Sequence, residues 1–162
     1  MEQREKVCAK LESLKIKYEL LEHPEAFTIE DMDRFGVSAL GDVCKNLFLR
    51  DAKGKRHFLV TMPKDKACSI AKIQEELGAS RLSFASAERL KKYLSLNQGE
   101  VTPLGIINDS EAHVEVVFDR DLKGNTRLGV HPNDNTATVW LSFDDIVRFV
   151  EENGNKIRMI TI

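Results

Sequence analysis

NLFLRDAKGKRHFLVTM, residues 46–62, contains two apolar segments around a polar loop and decides the fold. Residues 46–50 and 57–62 are rich in leucine, aromatic and β-branched side chains, a composition typical of strands. The polar stretch DAKGK between them includes Gly54, which suits a turn joining two antiparallel strands. The pattern therefore predicts a β-hairpin.

Upstream of the hairpin, the sequence predicts two helices with a short strand between them. Apolar residues recur at spacings of three and four over residues 3–15, as on one face of an amphipathic helix. A strand around residues 18–21 follows and ends at a histidine–proline pair. Thr28 with Asp31 resembles a capping box, which would open a second helix that stops near Gly36.

Downstream of the hairpin, helices and strands are interspersed without strict β-α-β alternation. The predicted elements are a helix over 69–77 closed by Gly78, a helix over 86–94 with Ser86 as its N-cap, strands at 104–107, 114–118 and 136–141, a helix capped by Ser142 and Asp145 that ends near Gly154, and a strand at 157–160. This order predicts an α+β fold, with a mixed, mostly antiparallel sheet surrounded by helices.

Length and composition indicate one domain over residues 1–162. A chain of 162 residues can bury roughly 70 % of its unfolded surface, and no linker or internal repeat divides it. With 42 % hydrophobic and 31 % charged residues, the composition is that of a globular protein. The net charge of −2 argues against a broad basic surface for nucleic acid, so any RNA contact should be local.

The cysteines, histidines and apolar segments indicate a cytoplasmic protein without a metal or a disulfide. Three cysteines show no Cys-x-x-Cys spacing, and the four histidines are scattered. The amino-terminal segment carries charges of both signs, and no apolar stretch is long enough to span a bilayer. We therefore expect a cytoplasmic location, no cofactor and no membrane partner.

Two polar groups at strand ends are candidate functional residues, although each also has a structural explanation. Lys45 and Asn46 begin the apolar strand of the hairpin, where a lysine is either an exposed guard of a strand end or a cation directed into a cleft. His131 precedes Pro132, which restricts the histidine backbone to extended conformations. A lone histidine there is either structural or part of a site.

A third group is the constrained loop NQGEVTPLGIIND, residues 97–109. Gly99 permits backbone angles closed to other residues, Pro103 fixes one dihedral angle, and Gly105 permits close approach of another group. Such a loop is either a tight connection or an arrangement that directs N–H groups at a carbonyl or phosphate oxygen. Motifs for phosphate-binding loops, dinucleotide binding, zinc peptidases and serine hydrolases are absent from the sequence.

Taken together, these groups resemble the YbaK-like prolyl-tRNA editing family. The resemblance rests on KNLFL at 45–49, GEVTPLG at 99–105 leading into IND at 107–109, and HP at 131–132 with NT at 135–136, followed by a strand and a helix. It extends from Phe27 to the helix over 144–151, nearly the whole chain. The asparagine after the lysine, the NLFL strand and the HP…NT segment most resemble the freestanding branch that removes alanine from mischarged proline tRNA.

The resemblance implies hydrolysis of the ester between a wrong amino acid and the terminal adenosine of tRNA, with a neighbouring ribose hydroxyl helping to activate water. Lys45 would be a cation that binds the terminal adenosine or its phosphate rather than a general base. Asn46 and His131 would hydrogen-bond the ribose or the aminoacyl group. Backbone N–H groups of residues 99–105, with Gly99 and Pro103 central, would hold the carbonyl oxygen.

The resemblance also implies a small apolar pocket for the amino-acid side chain, which would separate substrates by size. Phe27, Ile29 and Met32 are its expected contributors, and Thr102, Leu104, Gly105 and Asn135 complete the expected substrate-binding residues. The expected partner is tRNA(Pro) carrying a small non-cognate amino acid, with prolyl-tRNA synthetase as a further candidate.

Two alternatives remain at this stage. Cysteine or another small amino acid could replace alanine as substrate, or the chain could be a binding module without turnover. Lys64, Lys66 and Arg81 are candidates for a small basic patch for RNA, although the sequence does not bring them together in space.

Overall fold

The computed structural model describes residues 2–162. The helices are α1 (Gln3–Ser13), α2 (Ile29–Arg34), α3 (Ile70–Leu77), α4 (Ala87–Leu94) and α5 (Phe143–Asn153), and the strands are β1 (Glu19–Glu22), β2 (Asp42–Arg50), β3 (His57–Pro63), β4 (Ser83–Phe84), β5 (Glu115–Asp119), β6 (Leu128–Val130), β7 (Ala137–Leu141) and β8 (Ile157–Ile160). Short 3₁₀ segments occur at Val37–Ala39, Pro103–Asn108 and Arg120–Leu122.

The strands form one mixed sheet in the order β1-β7-β6-β2-β3-β5-β8, with β4 beside β2. Within residues 2–162, four strand pairs are antiparallel and three are parallel. The antiparallel β2–β3 hairpin runs from the Cys44–Pro63 pair to the Arg50–His57 pair. The α+β prediction, with a mixed and mostly antiparallel sheet, is therefore confirmed.

Local capping residues explain why most of the predicted helices form where the sequence places them. Ser69, Ser86 and Ser142 each accept a hydrogen bond from an amide in the first turn of α3, α4 and α5. Thr28 caps α2 in the same way by accepting from the Asp31 amide at 3.1 Å. The Asp31 carboxylate accepts a hydrogen bond from the amide of Phe27. Phe27 precedes the N-cap residue, so the capping box spans one residue more than the sequence predicted.

Two apolar layers cover the two faces of the sheet. Helices α1, α4 and α5 pack on one face, around fully buried side chains such as Leu11, Leu94 and Phe118. Helix α3 covers the other face at the β3 end, where Ile73 contacts a second cluster. A smaller third cluster lies under α2 and includes Trp140. None of the helices in residues 2–162 has both the length and the apolarity needed to cross a bilayer.

The structure corrects one predicted strand. Residues 104–107 lie within the 3₁₀ segment Pro103–Asn108, because Thr102 accepts from the Leu104 amide at 3.3 Å and the Gly105 amide donates to the Thr102 carbonyl. Proline at the first position suits a helical turn, and Leu104 and Ile106 are fully buried against the core. Strands β4 and β6, only two and three residues long, were not predicted.

Candidate active site

An unpaired stretch on one edge of β2 creates the opening for the candidate site. The start of β2 pairs in parallel with β6, at Asp42–Leu128 and Val43–Gly129, and its end pairs with β4 at Leu49 and Arg50. Between these points β2 and β6 diverge. Lys45 and Asn46 follow Val43, the last residue of β2 that pairs with β6, and His131 follows β6. The three polar groups therefore border the same gap.

A cleft of about 250 Å³ lies in this gap. Its lining joins residues that are far apart in sequence: Ala26, Phe27, Thr28, Ile29, Met32, Val43, Cys44, Lys45, Asn46, Gly99, Val101 and His131. Seven of the twelve predicted site residues are among them: Phe27, Ile29, Met32, Lys45, Asn46, Gly99 and His131. The fold thus gathers segments of β2, α2, the 97–102 loop and the β6 end around one cavity.

Lys45 is held by a backbone carbonyl rather than by a carboxylate. Its Nζ donates to the carbonyl oxygen of Lys66 at 3.0 Å. Lys66 is itself fixed, because its Nζ contacts Asp119 and Asp121 at 2.6 Å each. One of the three N–H donors of Lys45 is therefore used for positioning, and the positive charge remains for a ligand in the cleft.

Asn46 is oriented by a buried hydroxyl. Thr61, which lies opposite on β3, donates from Oγ1 to Asn46 Oδ1 at 2.7 Å. Because Thr61 is fully buried, this bond is shielded from water and holds the amide group in one orientation. The Nδ2 group of Asn46 is left to donate into the cleft.

His131 has one ring nitrogen engaged and one free within residues 2–162. Its Nδ1 lies 2.8 Å from the Ala137 carbonyl oxygen, and since a carbonyl only accepts, Nδ1 carries the proton. Burial lowers the pKa of His131 below its ordinary value, which keeps the ring neutral at neutral pH. Nε2 then has a lone pair that can accept a hydrogen bond from a ligand. The His23 ring lies 6.1 Å away, centroid to centroid.

Phe27 and Gly99 form one side of the cleft mouth. The Phe27 side chain is 59 % exposed and lies over Gly99. A Cβ on Gly99 would come within 2.9 Å of Phe27 Cδ1, and Gly99 has a φ of +87° that disfavours other residues. Glycine at this position is therefore required by the contact with Phe27 as well as by the turn. Phe27 is a rim residue rather than part of an enclosed apolar pocket.

The remaining five predicted site residues do not line the cleft. Pro103, Leu104 and Gly105 are buried behind it, and Gly105 packs against Leu96. Thr102 donates from Oγ1 to the His131 carbonyl oxygen at 2.7 Å, and the Asn135 carbonyl accepts from the Ala26 amide at 2.9 Å. Thr102 and Asn135 thus position segments of the cleft wall.

The predicted wall of N–H groups is shorter than the sequence suggested. The amides of Glu100, Leu104 and Gly105 are engaged in internal hydrogen bonds, and Pro103 has no N–H. Residues 103–105 therefore cannot hold a carbonyl oxygen, which corrects the prediction for that half of the loop. Gly99 and Val101 are the loop residues that line the cleft.

Four lining residues were not predicted from the sequence: Ala26, Thr28, Val43 and Cys44. Val101 belongs to the predicted 99–105 loop. Cys44 is the one with a reactive side-chain type, but burial raises its thiol pKa to about 12. It is therefore protonated at neutral pH and unsuited to be a nucleophile. Val43 and Cys44 directly precede Lys45 on β2, and that adjacency was the signal available in the sequence.

The prediction of a basic patch at Lys64, Lys66 and Arg81 is corrected, because both lysines form ion pairs with aspartates. Lys64 contacts Asp33 and Asp65, and Lys66 contacts two aspartates, so neither presents a free positive charge. Residues 2–162 contain no group of three or more His, Cys, Asp or Glu side chains placed to hold a metal ion.

Comparisons with known proteins bear on this cleft. A family model described as the aminoacyl-tRNA editing domain matches residues 23–149, which include the whole cleft lining. The prolyl-tRNA editing protein ProX of Acetoanaerobium sticklandii is 47 % identical over 162 residues, covering 100 % of this chain and 99 % of that protein. The prolyl-tRNA synthetase associated domain-containing protein 1 of Danio rerio is 40 % identical over 144 residues, covering 88 % and 78 %.

A solved structure described as a candidate trans-editing enzyme for prolyl-tRNA synthetase has the same fold, with a TM-score of 0.73 at 17 % identity, over 100 % of this chain and 98 % of that chain. Fold, cleft and matches together define the class of protein, which is an aminoacyl-tRNA deacylase, a carboxylic ester hydrolase. The chain belongs to the aminoacyl-tRNA editing domain family.

Proposed function

We propose that residues 1–162 act as one editing domain that hydrolyses the ester of alanine on mischarged tRNA(Pro). Water attacks the ester carbonyl carbon, the bond to the ribose oxygen breaks, and that oxygen takes up a proton as free alanine and tRNA leave. The observation that carries the proposal is the cleft itself, which gathers Lys45, Asn46 and His131 around a space of small-molecule size. The editing protein of A. sticklandii, similar over the full chain, supports tRNA(Pro) as the substrate.

The polar groups of the cleft suit binding and charge stabilisation better than nucleophilic attack. Among the lining residues, the buried thiol of Cys44 is protonated and Thr28 uses its hydroxyl as a helix cap. An aminoacyl ester is already activated, so a positioned water and a stabilised carbonyl oxygen suffice for its hydrolysis. A ribose hydroxyl beside the ester would supply the activating group, as the family resemblance implies.

We assign three roles to the three polar residues. Lys45 supplies a fixed positive charge for a phosphate of the terminal adenosine. Asn46 donates from Nδ2 to the ester carbonyl oxygen, where negative charge develops in the transition state. His131 accepts at Nε2 from a ribose hydroxyl, which requires the neutral ring that its lowered pKa provides.

A recess next to the cleft supports alanine as the amino acid. It shares Met32, Val43, Cys44, Asn46 and His131 with the cleft and offers about 10 Å³, room for about one water-sized group. Such a space is too small for a proline ring, and the methyl group of alanine is smaller than the side chain of cysteine. The recess would therefore act as a sieve that admits the wrong amino acid and excludes the correct one.

Phe27 takes a different role from the one predicted for it. An aromatic ring that is 59 % exposed at the mouth of a cleft suits stacking against a base better than contact with a methyl group. We assign Phe27 to the terminal adenine. Met32, which is 3 % exposed, and Ile29 remain as apolar contacts deeper in the cleft.

The decisive experiment measures amino-acid release from tRNA(Pro) charged separately with alanine, cysteine, serine or proline. Alanine should be released fastest and proline at the rate of buffer alone. Lys45→Ala should abolish release, while Lys72→Ala, an exposed lysine of α3 that does not line the cleft, should leave it unchanged. Faster release of cysteine would make cysteine the substrate, and no release of any amino acid would disprove the hydrolase proposal.

We further propose that tRNA affinity is modest and that its salt dependence is shallow, since the net charge is −2 and few phosphates would be contacted. The synthetase partner and the cytoplasmic location stay predictions. Co-purification with prolyl-tRNA synthetase and fractionation of the cell would test them.

A further inference from the structure

Two arginines converge above the β2–β3 turn, away from the cleft. Arg89 Nη2, Arg89 Nη1 and Arg50 Nη2 lie 2.8, 3.0 and 3.1 Å from the point where a Cβ of Gly54 would sit. The two guanidinium groups are thus within about 6 Å of each other. Like charges held this close repel each other unless an anion lies between them.

Both guanidinium groups are fixed by neutral acceptors rather than by acids. Arg50 donates to the carbonyl oxygens of Asp51 and Ala52 at 3.1 Å each. Arg89 Nη1 lies 3.1 Å from the Gly54 carbonyl oxygen and 3.0 Å from His57 Nε2. Neither arginine forms an ion pair in the part of the chain that the structure describes.

The acids near the pair form their hydrogen bonds with groups other than the two guanidinium groups. The Asp51 carboxylate accepts from the backbone amides of Lys55 and Arg56, and Glu115 is held by the Arg56 guanidinium at 2.9 Å. Glu88 lies in a surface depression with Arg89, but exposed Lys92 lines the same depression. Exposed lysines 53 and 55 on the turn add further positive charge.

The pair lies on the same face of the sheet as the amide of the cleft. Side chains alternate along a strand, so Asn46 and Arg50 point to one face, about 13 Å apart at roughly 3.3 Å per residue. Helix α4 covers this face: its first turn carries Arg89, and the chain after its last turn leads to Gly99 at the cleft. A polynucleotide whose end enters the cleft can therefore cross α4 to reach the pair.

We propose that Arg50 and Arg89 form a binding site for a backbone phosphate of the RNA substrate, outside the catalytic cleft. This inference rests on the proposed function, because it takes the RNA to be the one whose aminoacyl end lies in the cleft. Paired guanidinium groups present several N–H donors in planes that match phosphate oxygens. Because both side chains are already held in place, phosphate binding costs little further side-chain conformational entropy.

The test compares Arg50→Gln and Arg89→Gln with Arg148→Gln, an exposed arginine of α5, in binding of uncharged tRNA(Pro) by fluorescence anisotropy. We expect the first two to weaken binding about tenfold at low salt, and to reduce the slope of log affinity against log salt by about 1. Arg148→Gln should bind as wild type. Arg50→Gln is the cleaner variant, since Arg89 also contacts the buried His57.

A second measurement separates RNA contact from a structural role. Alanyl-adenosine, an ester without phosphate, should be hydrolysed at the wild-type rate by Arg50→Gln, whereas the KM for alanyl-tRNA should rise about tenfold. Equal loss on both substrates, or a lowered melting temperature with unchanged affinity, would overturn the proposal. The proposal would also be overturned if inorganic phosphate stabilised wild type but not the arginine variants, while the RNA affinity of the variants stayed at the wild-type value.

The binding measurement also keeps the two proposals apart. If wild type released no alanine from tRNA but the arginine variants lost affinity for RNA, the hydrolase proposal would fail and the phosphate site would stand.

Discussion

Replacing Asn46 by aspartate tests the chemistry of the cleft most directly. Aspartate keeps the size of the side chain and the oxygen that accepts from Thr61 Oγ1 at 2.7 Å. It replaces the Nδ2 donor with an oxygen that cannot donate to the ester carbonyl and that repels the charge developing there. The variant therefore removes one function from the cleft without changing its shape.

The expected loss of activity is that of removing one hydrogen-bond donor from the ester carbonyl oxygen. Loss of one preorganised donor to a developing oxyanion costs about 2.7 to 4 kcal/mol, which lowers kcat about 10² to 10³-fold. Thr61→Val removes only the bond that orients the amide, a contribution of about 1 kcal/mol, so kcat/KM should fall about fivefold. The two losses should not add, since both act on the same amide.

The assay is single-turnover release of alanine from alanyl-tRNA(Pro), with Asn97→Asp as the charge-matched control. Asn97 is exposed on the loop that leads to the cleft, so it adds the same charge near the mouth without entering the lining. Circular dichroism and a thermal melt establish that each variant is folded. A folded Asn46→Asp protein that releases alanine at the wild-type rate would refute the assigned role of Nδ2.

Three further outcomes are expected. Gly99→Ala should lower kcat/KM about tenfold by displacing the Phe27 ring, since the new Cβ would lie 2.9 Å from it in a backbone conformation that costs about 1–3 kcal/mol; unchanged kinetics would contradict this. Burial and nearby positive charge lower the His57 pKa from 6.5 to about 4. As pH falls, His57 is therefore protonated in the unfolded state before it is protonated in the folded state. About 3 kcal/mol of the free energy of unfolding should be lost between pH 6.5 and 4. Urea unfolding of wild type and His57→Gln across that range measures it, and parallel pH profiles would contradict it. Iodoacetamide at pH 7 should leave Cys44 unmodified by mass spectrometry, because its thiol pKa is about 12; rapid labelling would show that the thiol is accessible and reactive.

Elements with local causes were predictable from the sequence. The serine caps of α3, α4 and α5 and the β2–β3 hairpin depend on residues within a few positions of each other, and they form where predicted. The error at residues 104–107 has a tertiary cause. An apolar run is compatible with a strand or a tight helical turn, and here Thr102 and Pro103 start a turn that the core then buries.

Some features of the candidate site could be predicted from the sequence and others could not. The sequence resemblance marked Lys45, Asn46 and His131, and the structure brings them to one cleft. The sequence could not show that Thr102 and Asn135 act through backbone contacts or that Phe27 lies at the rim of the cleft. Nor could it show that Lys64 and Lys66 form ion pairs with aspartates.

By itself, then, the sequence determined the helices, most strands, the α+β class and the three polar groups that the family resemblance marks, because each depends on short-range patterns or on motif order. Only the tertiary structure decided where β2 and β6 separate, which amides of the 97–109 loop remain free, and that Arg50 and Arg89 meet above Gly54. These features depend on contacts between residues tens of positions apart, and the sequence contains no local signal for such contacts.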